Sequence, residues 1–367
     1  MRNAPSSPDA SAAGREGEDP RGIQGANEIT APAPAEPQPT SAGVSVVVPA
    51  YNRCDSLAEC LESLARQTHP DYEIIVVDDG STDETPRILD RFGGEHPNAR
   101  FRWLRNPTNR GANVSRNRGI RAATGTHVAF TDSDCVAERD WLERLVLGFR
   151  NDRVSTVQGR IVTPPPTNIY ELTYKGTNRV QGSTFAGRLV GCNMGGRRDI
   201  LLKHPLDEDR KYGCDEEGLF LRLRFEGYEQ RLVHDAVVTH NHRFTGRSFL
   251  RQAYAGGAAA GWFVYKYHLP PRLDMLPFLL AYITVPLGLL DARLAAVPAL
   301  FFAAALAAIT YNDLFRKGKT AWATVRSFPI LLVSYHVRLA GYVLEQARLW
   351  FTRHNIQRVR LREKVSG

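Results

Sequence analysis

The chain has 367 residues, of which 43% are hydrophobic and 23% charged, and it carries a formal net charge of +8. That length exceeds one typical domain and falls short of three, and the composition is near the globular average, so a large core is available. Its five cysteines (Cys54, Cys60, Cys135, Cys192 and Cys214) include no CxxC pair, which argues for a reducing compartment and against a disulfide framework or a structural zinc motif.

Residues 1–42 are rich in Ala, Pro and Gly, as in APAPAEPQPT, and almost lack large apolar side chains. They bury too little surface to offset chain entropy, so a disordered tail is expected. With no charged start followed by an apolar core, a cleaved signal peptide is not expected. From residue 44 strands and helices alternate. VSVVV (44–48) reads as a strand buried on both faces and ends in PAYNR (49–53). Asp55 is placed to cap a helix through Gln67, with Leu57, Leu61 and Leu64 on one face. EIIVV (73–77) is a second buried strand running into DDGSTDETP, followed by a helix to about Phe92. A third strand covers 100–104, a helix over 112–123 is stopped by Gly125, and 127–131 is the strand that feeds FTDSDC (130–135). This alternation predicts an α/β fold with a doubly wound, mainly parallel sheet. Residues 154–162 and 230–239 are further strands in a less regular second half.

In an open α/β sheet, ligands bind beyond the carboxyl ends of the strands. That rule lines up Pro49, Tyr51, Asn52, Asp78, Asp79, Asp132 and Asp134 along one crevice. An isolated DSD is an ordinary turn, but a purely structural sheet has no need of four acids at one edge. Asp132 and Asp134 offer hard oxygens that suit Mg2+ or Mn2+ shared with a substrate's phosphates. Asp78 and Asp79 can accept from a nucleobase N–H, and Gly80 permits close backbone approach. GCNMGGRRDI (191–200) adds glycines for tight approach, with Arg197 and Arg198 as charge-assisted donors to phosphate. In YGCDEEGLFLRLRFEGY (212–228), Asp215 or Glu216 opens an amphipathic helix with Leu219, Leu223 and Phe220 inward. Those acids read either as caps or as a general base. THNHR (239–243) sets His240 and His242 on alternate positions after a strand, and His240 is the candidate to complete a metal shell with Asp132 and Asp134.

Downstream of Arg272, residues 275–290 and 294–310 are uncharged and separated only by Asp291-Ala-Arg293. Each is slightly short of the ~20 residues needed to span a bilayer, and membrane helices tolerate kinks such as Pro277, Pro286 and Pro298. Arg316, Lys317 and Lys319 after the second run favour a membrane hairpin over 272–311 with both ends cytoplasmic. A buried hairpin of a soluble domain is the alternative. Residues 330–344, interrupted by His336 and Arg338, read as interfacial. The stretch 312–367 holds eleven Lys and Arg against three acids and so carries the whole net charge. No nucleic-acid-binding motif accompanies it, and an anionic membrane surface is the expected partner.

Six segments in this order, VSVVVPAYN, EIIVVDDGSTDETP, NRGANVSRNRGI, FTDSD, GCNMGGRRDIL and CDEEGLFLRLRFEGY with VVTHNHR, resemble the family-2 glycosyltransferases. These are inverting sugar-nucleotide enzymes of the GT-A fold, and the resemblance covers about residues 44–243. It implies a nucleoside-diphosphate sugar donor, expected to be a UDP-sugar, with Asp78 and Asp79 at the base and ribose. It further implies that Asp132 and Asp134 serve a diphosphate-bound Mn2+ or Mg2+, and that a carboxylate at the head of the 215–216 helix activates the acceptor. The family's usual Glu-Asp is here Asp215-Glu216. Aligning from Gly213 selects Asp215, which is preferred, and aligning from Leu221-Arg222 selects Glu216. The Gln-x-x-Arg-Trp signature of processive members is replaced by Gln252-Ala-Tyr-Ala-Gly. Single or limited transfer to a lipid-linked or saccharide acceptor is therefore expected, by a catalytic domain spanning 43–271. Two rival readings are a nucleotidyltransferase, which would release pyrophosphate, and a membrane-tethered binder without turnover.

Overall fold

The structure is a computed structural model that describes residues 43–174, 189–209, 211, 216–241, 244–269, 276–312, 314 and 320–351. The tail expected over 1–42, Asp215, His242 and the basic residues 316–319 lie outside the described residues.

Eleven α-helices and eight strands are described. The first half runs β1 (Val44–Ala50), α1 (Leu57–Ala65), β2 (Tyr72–Asp78), α2 (Thr85–Glu95), β3 (Phe101–Arg105), α3 (Ala112–Ala122) and β4 (His127–Thr131). It continues with β5 (Cys135–Ala137), α4 (Trp141–Val146), β6 (Val154–Val162), α5 (Ile169–Tyr174), β7 (Asn193–Arg197), α6 (Arg198–Lys203), α7 (Glu217–Phe225) and β8 (Glu229–His240). Four long helices follow: α8 (Gly246–Lys266), α9 (Leu276–Leu290), α10 (Ala296–Tyr311) and α11 (Ala321–Phe351).

All eight strands form one sheet in the order β3-β2-β1-β4-β7-β6-β8-β5. β3, β2, β1 and β4 are mutually parallel, so their carboxyl ends, Arg105, Asp78, Ala50 and Thr131, emerge at one edge. β7 runs antiparallel to both β4 and β6, β6 and β8 are parallel, and the short β5 closes the edge antiparallel to β8. The sheet is mixed in its second half. Both faces are covered, which explains the continuous β-branched runs. Val44, Val46 and Val48 of β1 pack with Leu57, Leu61 and Leu64 of α1 on one face. Val47 packs on the other with Ile120, Phe130, Leu219 and Leu223.

The first helix starts one residue later than an Asp55 cap would give. Ser56 occupies the N-cap without a side-chain cap bond, and the turn is closed by Leu57 N–H donating to Arg53 O at 3.0 Å.

At the C-terminal end, α8 opens on a reciprocal Thr245/Ser248 capping box. α11 crosses it at glycines: a Cβ on Gly257 would strike the Arg338 backbone, and one on Gly341 would strike Tyr254 O. Gln346 Nε2 adds a bond to Gly261 O at 2.7 Å. Ala260, Phe278, Ala305, Leu331, Leu339 and Tyr342 form a core of their own here. Two helical stretches are long and apolar enough to cross a membrane, Ala292–Tyr311 and Ala321–Phe351. The first arm of the expected hairpin, α9, has 15 residues, about 22 Å of helix against a hydrocarbon core of ~30 Å. The segment 330–344, expected to lie at an interface, forms the middle of the 31-residue α11. Its two polar interruptions are satisfied along the helix. His336 Nδ1–H donates to Leu332 O at 2.8 Å, and the Arg338 guanidinium lies over the Tyr335 ring at 5.9 Å.

Candidate active site

The crevice is built by the loops that leave the parallel edge. Asn52, after β1, sits in the left-handed region at φ 49°, which Asn tolerates better than most residues. Its N–H donates to Ser81 Oγ at 2.9 Å, and its Oδ1 accepts from Thr82 N at 2.9 Å. The PAYN and DDGST turns are thereby locked together, with Tyr51 left exposed at their mouth and Pro49 inside β1 beside Val77. Gly80 has φ +75°, and a Cβ there would meet the Thr108 backbone at 2.8 Å, so glycine is required at this turn.

The two acids of the second turn differ. Asp78 is fully buried; Oδ1 accepts from Ser81 N at 3.0 Å, while Oδ2 faces Arg105 Nε at 3.4 Å and has no hydrogen-bond partner among the described residues. Asp79, expected at the donor, is turned inward. It accepts from Asn106 Nδ2 at 2.7 Å, Gly111 N at 2.6 Å and Arg110 N at 3.1 Å, which fixes the loop from residue 106 to 111.

After β4 the chain turns tightly, with Cys135 N–H donating to Asp132 O at 3.0 Å. Asp132 and Asp134 then lie with His240 so that one ligand atom from each falls within 4.8 Å of the others. His240 arrives at the end of β8, opposite Cys135, and its Nε2 is 3.2 Å from Asp134 Oδ1. Asn241 N–H donates to Asp134 O at 3.0 Å, tying strand end to turn. Burial disfavours charge on His240, but its bonds to Asp134 and Cys192 dominate and hold its pKa far above the usual histidine range. Burial, with the Asp134 and Asp132 charges, pushes the nearby Cys60 thiol up.

Arg116 of α3 stands behind these acids with only 3% of its side chain exposed. One end of its guanidinium donates to Asp132 Oδ1 at 2.8 Å, and the other lies 3.1 Å from Glu216 Oε1. The same Glu216 oxygen accepts from Gly191 N at 2.7 Å. A Cβ on Gly191 would collide with both Glu216 Oε1 and the Arg116 guanidinium, so the GCN segment has to begin with glycine. Arg53 adds a half-exposed cation 3.6 Å from Asp134 Oδ2.

Arg197 and Arg198 do not join this cluster, and the strand direction is the reason. β7 runs antiparallel to β4, pairing Asn193 with Thr131 at the crevice and Arg197 with His127 at the far end. Four residue steps of ~3.3 Å separate the two edges by about 13 Å. There Arg197 Nη1 is 3.0 Å from Asp152 Oδ1, and Arg198 N–H donates to Thr126 O at 3.0 Å. Both were expected to hold donor phosphate; β7 carries them to the sheet edge opposite the Asp132–Asp134 turn. The residues that GCNMGG does bring to the crevice are Gly191 and Cys192.

The profile described as glycosyl transferase family 2 matches residues 45–204. Glycosyltransferase AglE of Haloferax volcanii is 30% identical over 220 residues, which is 58% of this chain and 71% of that protein. The chain belongs to glycosyltransferase family 2. The pre-mycofactocin glycosyltransferase of Mycobacterium tuberculosis is 32% identical over 245 residues, 62% of this chain and about half (49%) of that protein. A mannosyltransferase from Pyrobaculum calidifontis, solved in complex with GDP-Man and Mn2+, matches with a TM-score of 0.53 and 20% identity over 86% of this chain and 89% of that one. At that identity it speaks for the GT-A fold alone. This family-2 member is therefore an enzyme that transfers a glycosyl group from a nucleotide sugar.

Sequence reasoning missed Arg116, Arg53 and Arg105 in this enzyme. Arg116 is the one that left a signal. It lies in NRGANVSRNRGI, where Val114 and Ile120 are buried on a helix that buries Arg116 and Asn117 as well. Two buried polar side chains on a packed helix face need partners, and the carboxylates of the crevice supply Arg116 with its own.

Proposed function

We propose that this family-2 glycosyltransferase is an inverting, divalent-metal-dependent enzyme that moves a sugar from a UDP-sugar to a hydroxyl of a lipid-linked or saccharide acceptor, without processive synthesis. The reading is carried by the convergence, at one strand edge, of the Asp132–Asp134–His240 cluster with Asp78, whose Oδ2 has no hydrogen-bond partner among the described residues. Two carboxylates and an imidazole are a fitting donor set for Mn2+ or Mg2+, and the P. calidifontis relative was solved with Mn2+. Asp132, Asp134 and His240 would hold the cation, which when bound would supply Lewis-acid neutralisation of a departing diphosphate.

The uridine preference rests on Asp78. Its Oδ1 is occupied by Ser81 N–H, which leaves one oxygen for one ring N–H, as uracil offers. Guanine presents two adjacent donors and asks for both oxygens. Arg105, beside the same carboxylate, can donate to a base carbonyl. Asp215 is the proposed base. Glu216 already uses Oε1 to hold Arg116 and Gly191 N–H, and one of two neighbouring acids suffices to accept the acceptor's proton from the face opposite the leaving group. Arg116 keeps Asp132 and the base segment in register.

Attachment to a cytoplasmic membrane surface is supported by the apolar C-terminal helices, where Ile283, Leu289, Leu290 and Leu300 are exposed by 62–84%. Such a patch needs a cover. The protein should sediment with membranes after a high-salt wash and come free only in detergent; release by salt alone would remove this support for a lipid-borne acceptor. The chemistry is tested by a nucleotide-sugar panel with Mn2+, Mg2+ or EDTA, following nucleoside-diphosphate release. UDP-sugar turnover abolished by EDTA is expected. Preference for GDP-sugars would overturn the Asp78 argument, unchanged rates in EDTA would overturn the metal claim, and pyrophosphate release would favour a nucleotidyltransferase.

A further inference from the structure

Directly behind the acid pair lie two thiols that the proposed reaction does not use. Cys135 opens β5 and is fully buried, and Cys192 immediately precedes β7 and is 2% exposed. The two are 57 residues apart in sequence, which hides them from any CxxC pattern. Cys135 is the cross-strand partner of His240, and Thr131 Oγ1 donates to Cys192 O at 3.1 Å, fixing the second cysteine against the end of β4. One ligand atom from each of Cys135, Cys192 and His240 falls within 4.8 Å of the others. A fourth is adjacent: Asp134 Oδ1 lies 4.0 Å from Cys135 Sγ and 3.2 Å from His240 Nε2.

We propose that Cys135, Cys192, His240 and Asp134 form a soft-metal site that takes Zn2+ or Cd2+ in tetrahedral coordination, and that filling it switches the transferase off. Zn–S bonds of ~2.3 Å and Zn–N bonds of ~2.0–2.1 Å set tetrahedral ligand atoms roughly 3.5–4 Å apart, so sub-ångström side-chain shifts close this cluster around an ion. Two thiolates and an imidazole prefer zinc and cadmium to magnesium or manganese, whereas the carboxylate pair alone has no such preference. Binding sends the displaced thiol and imidazole protons to solvent. His240 and Asp134 serve both sites, so an ion drawn towards the sulfurs removes two of the three ligands proposed for the hard cation. The inhibitory consequence rests on the proposed catalytic metal site; the binding itself does not.

Purified full-length protein in detergent, titrated with Cd2+ in the absence of donor, should develop a thiolate-to-cadmium absorption that saturates near one ion per chain. Cys135→Ser and Cys192→Ser should each lose that absorption. They should keep Mn2+- or Mg2+-supported turnover and need about 10- to 100-fold more Zn2+ for half-inhibition, the loss expected when a metal site is weakened. X-ray absorption of the zinc-loaded wild type, which requires no variant to fold, should show sulfur neighbours at ~2.3 Å. A zinc shell of oxygen and nitrogen alone, or equal zinc sensitivity in wild type and both variants, would overturn the soft site. Thiolate absorption in a protein whose turnover ignores Mn2+, Mg2+ and EDTA would leave the soft site standing and sink the hard-cation reading instead.

Discussion

The two halves of the sheet treat sequence motifs differently. In the β3-β2-β1-β4 half every strand points the same way, so whatever follows a strand arrives at one edge. Tyr51, Asn52, Asp78 and Asp132 meet there because of chain order alone. In the β7-β6-β8-β5 half the directions are mixed: β6 and β8 run with β4, while β7 and β5 run against it. A motif such as GCNMGGRR then enters at the crevice and leaves at the opposite edge, taking Arg197 and Arg198 with it. A motif that crosses a strand is thus split between two ends of the molecule, and only the strand's direction says which end is functional.

The sharpest test of the parallel half is Asp134→Ala. If Asp134 is a ligand of the catalytic cation, its loss forfeits several kcal/mol of charge stabilisation, so turnover should fall by on the order of 10³-fold. Nucleoside-diphosphate release at saturating donor measures this, and near-normal turnover would show that the acids at this edge are only a turn. Next come the paired acids at the head of α7. Asp215→Asn should lower turnover by about 10²–10⁴-fold with donor affinity retained, while Glu216→Gln should cost less turnover and show mainly as lost stability. A Glu216→Gln enzyme that folds normally but is inactive would exchange the two roles.

Arg116→Gln comes third. It leaves Asp132 and Glu216 without their shared cation. Breaking a buried pair in this way costs about 3–5 kcal/mol, towards the lower end here because Asp132 keeps 30% of its side chain exposed. Denaturant unfolding of the variant should show that loss, and an unchanged midpoint would mean the bridge is incidental. The smallest effect belongs to the antiparallel half. Arg197→Ala and Arg198→Ala should change donor KM by no more than about 2–3-fold, since charges this far from a ligand are screened within a Debye length of ~8–10 Å. A tenfold rise in KM for either would restore the phosphate-binding role and contradict the strand direction.

Much of this was legible because its cause is local. Val44–Ala50 and His127–Thr131 are strands because a β-branched or apolar run needs both faces covered. Leu57, Leu61 and Leu64 share one buried face because of the helical repeat. Leu219, Phe220 and Leu223 are inward for the same reason. His336 and Arg338, the polar interruptions of the segment expected to be interfacial, show what composition leaves out. A helix tolerates a histidine bonded to the preceding turn and an arginine laid over a neighbouring ring, and composition counts their polarity without seeing either partner.

By itself, then, the sequence determined the strands and helices of the parallel half, the edge at which the parallel loops gather, and the family to which the enzyme belongs. These follow from periodicity, chain order and motif spacing, which are properties of neighbours along the chain. Tertiary structure alone decided the rest. It turned Asp79 inward to three donors of the 106–111 loop and left Asp78 Oδ2 facing Arg105 with no hydrogen-bond partner among the described residues. It reversed β7, and it brought Arg116 between carboxylates 16 and 100 residues away in sequence. It also gathered Cys135, Cys192 and His240 from three separate strand ends. Each of these depends on which strands are neighbours and which way they run, and that is fixed by packing the whole sheet rather than by any segment of it.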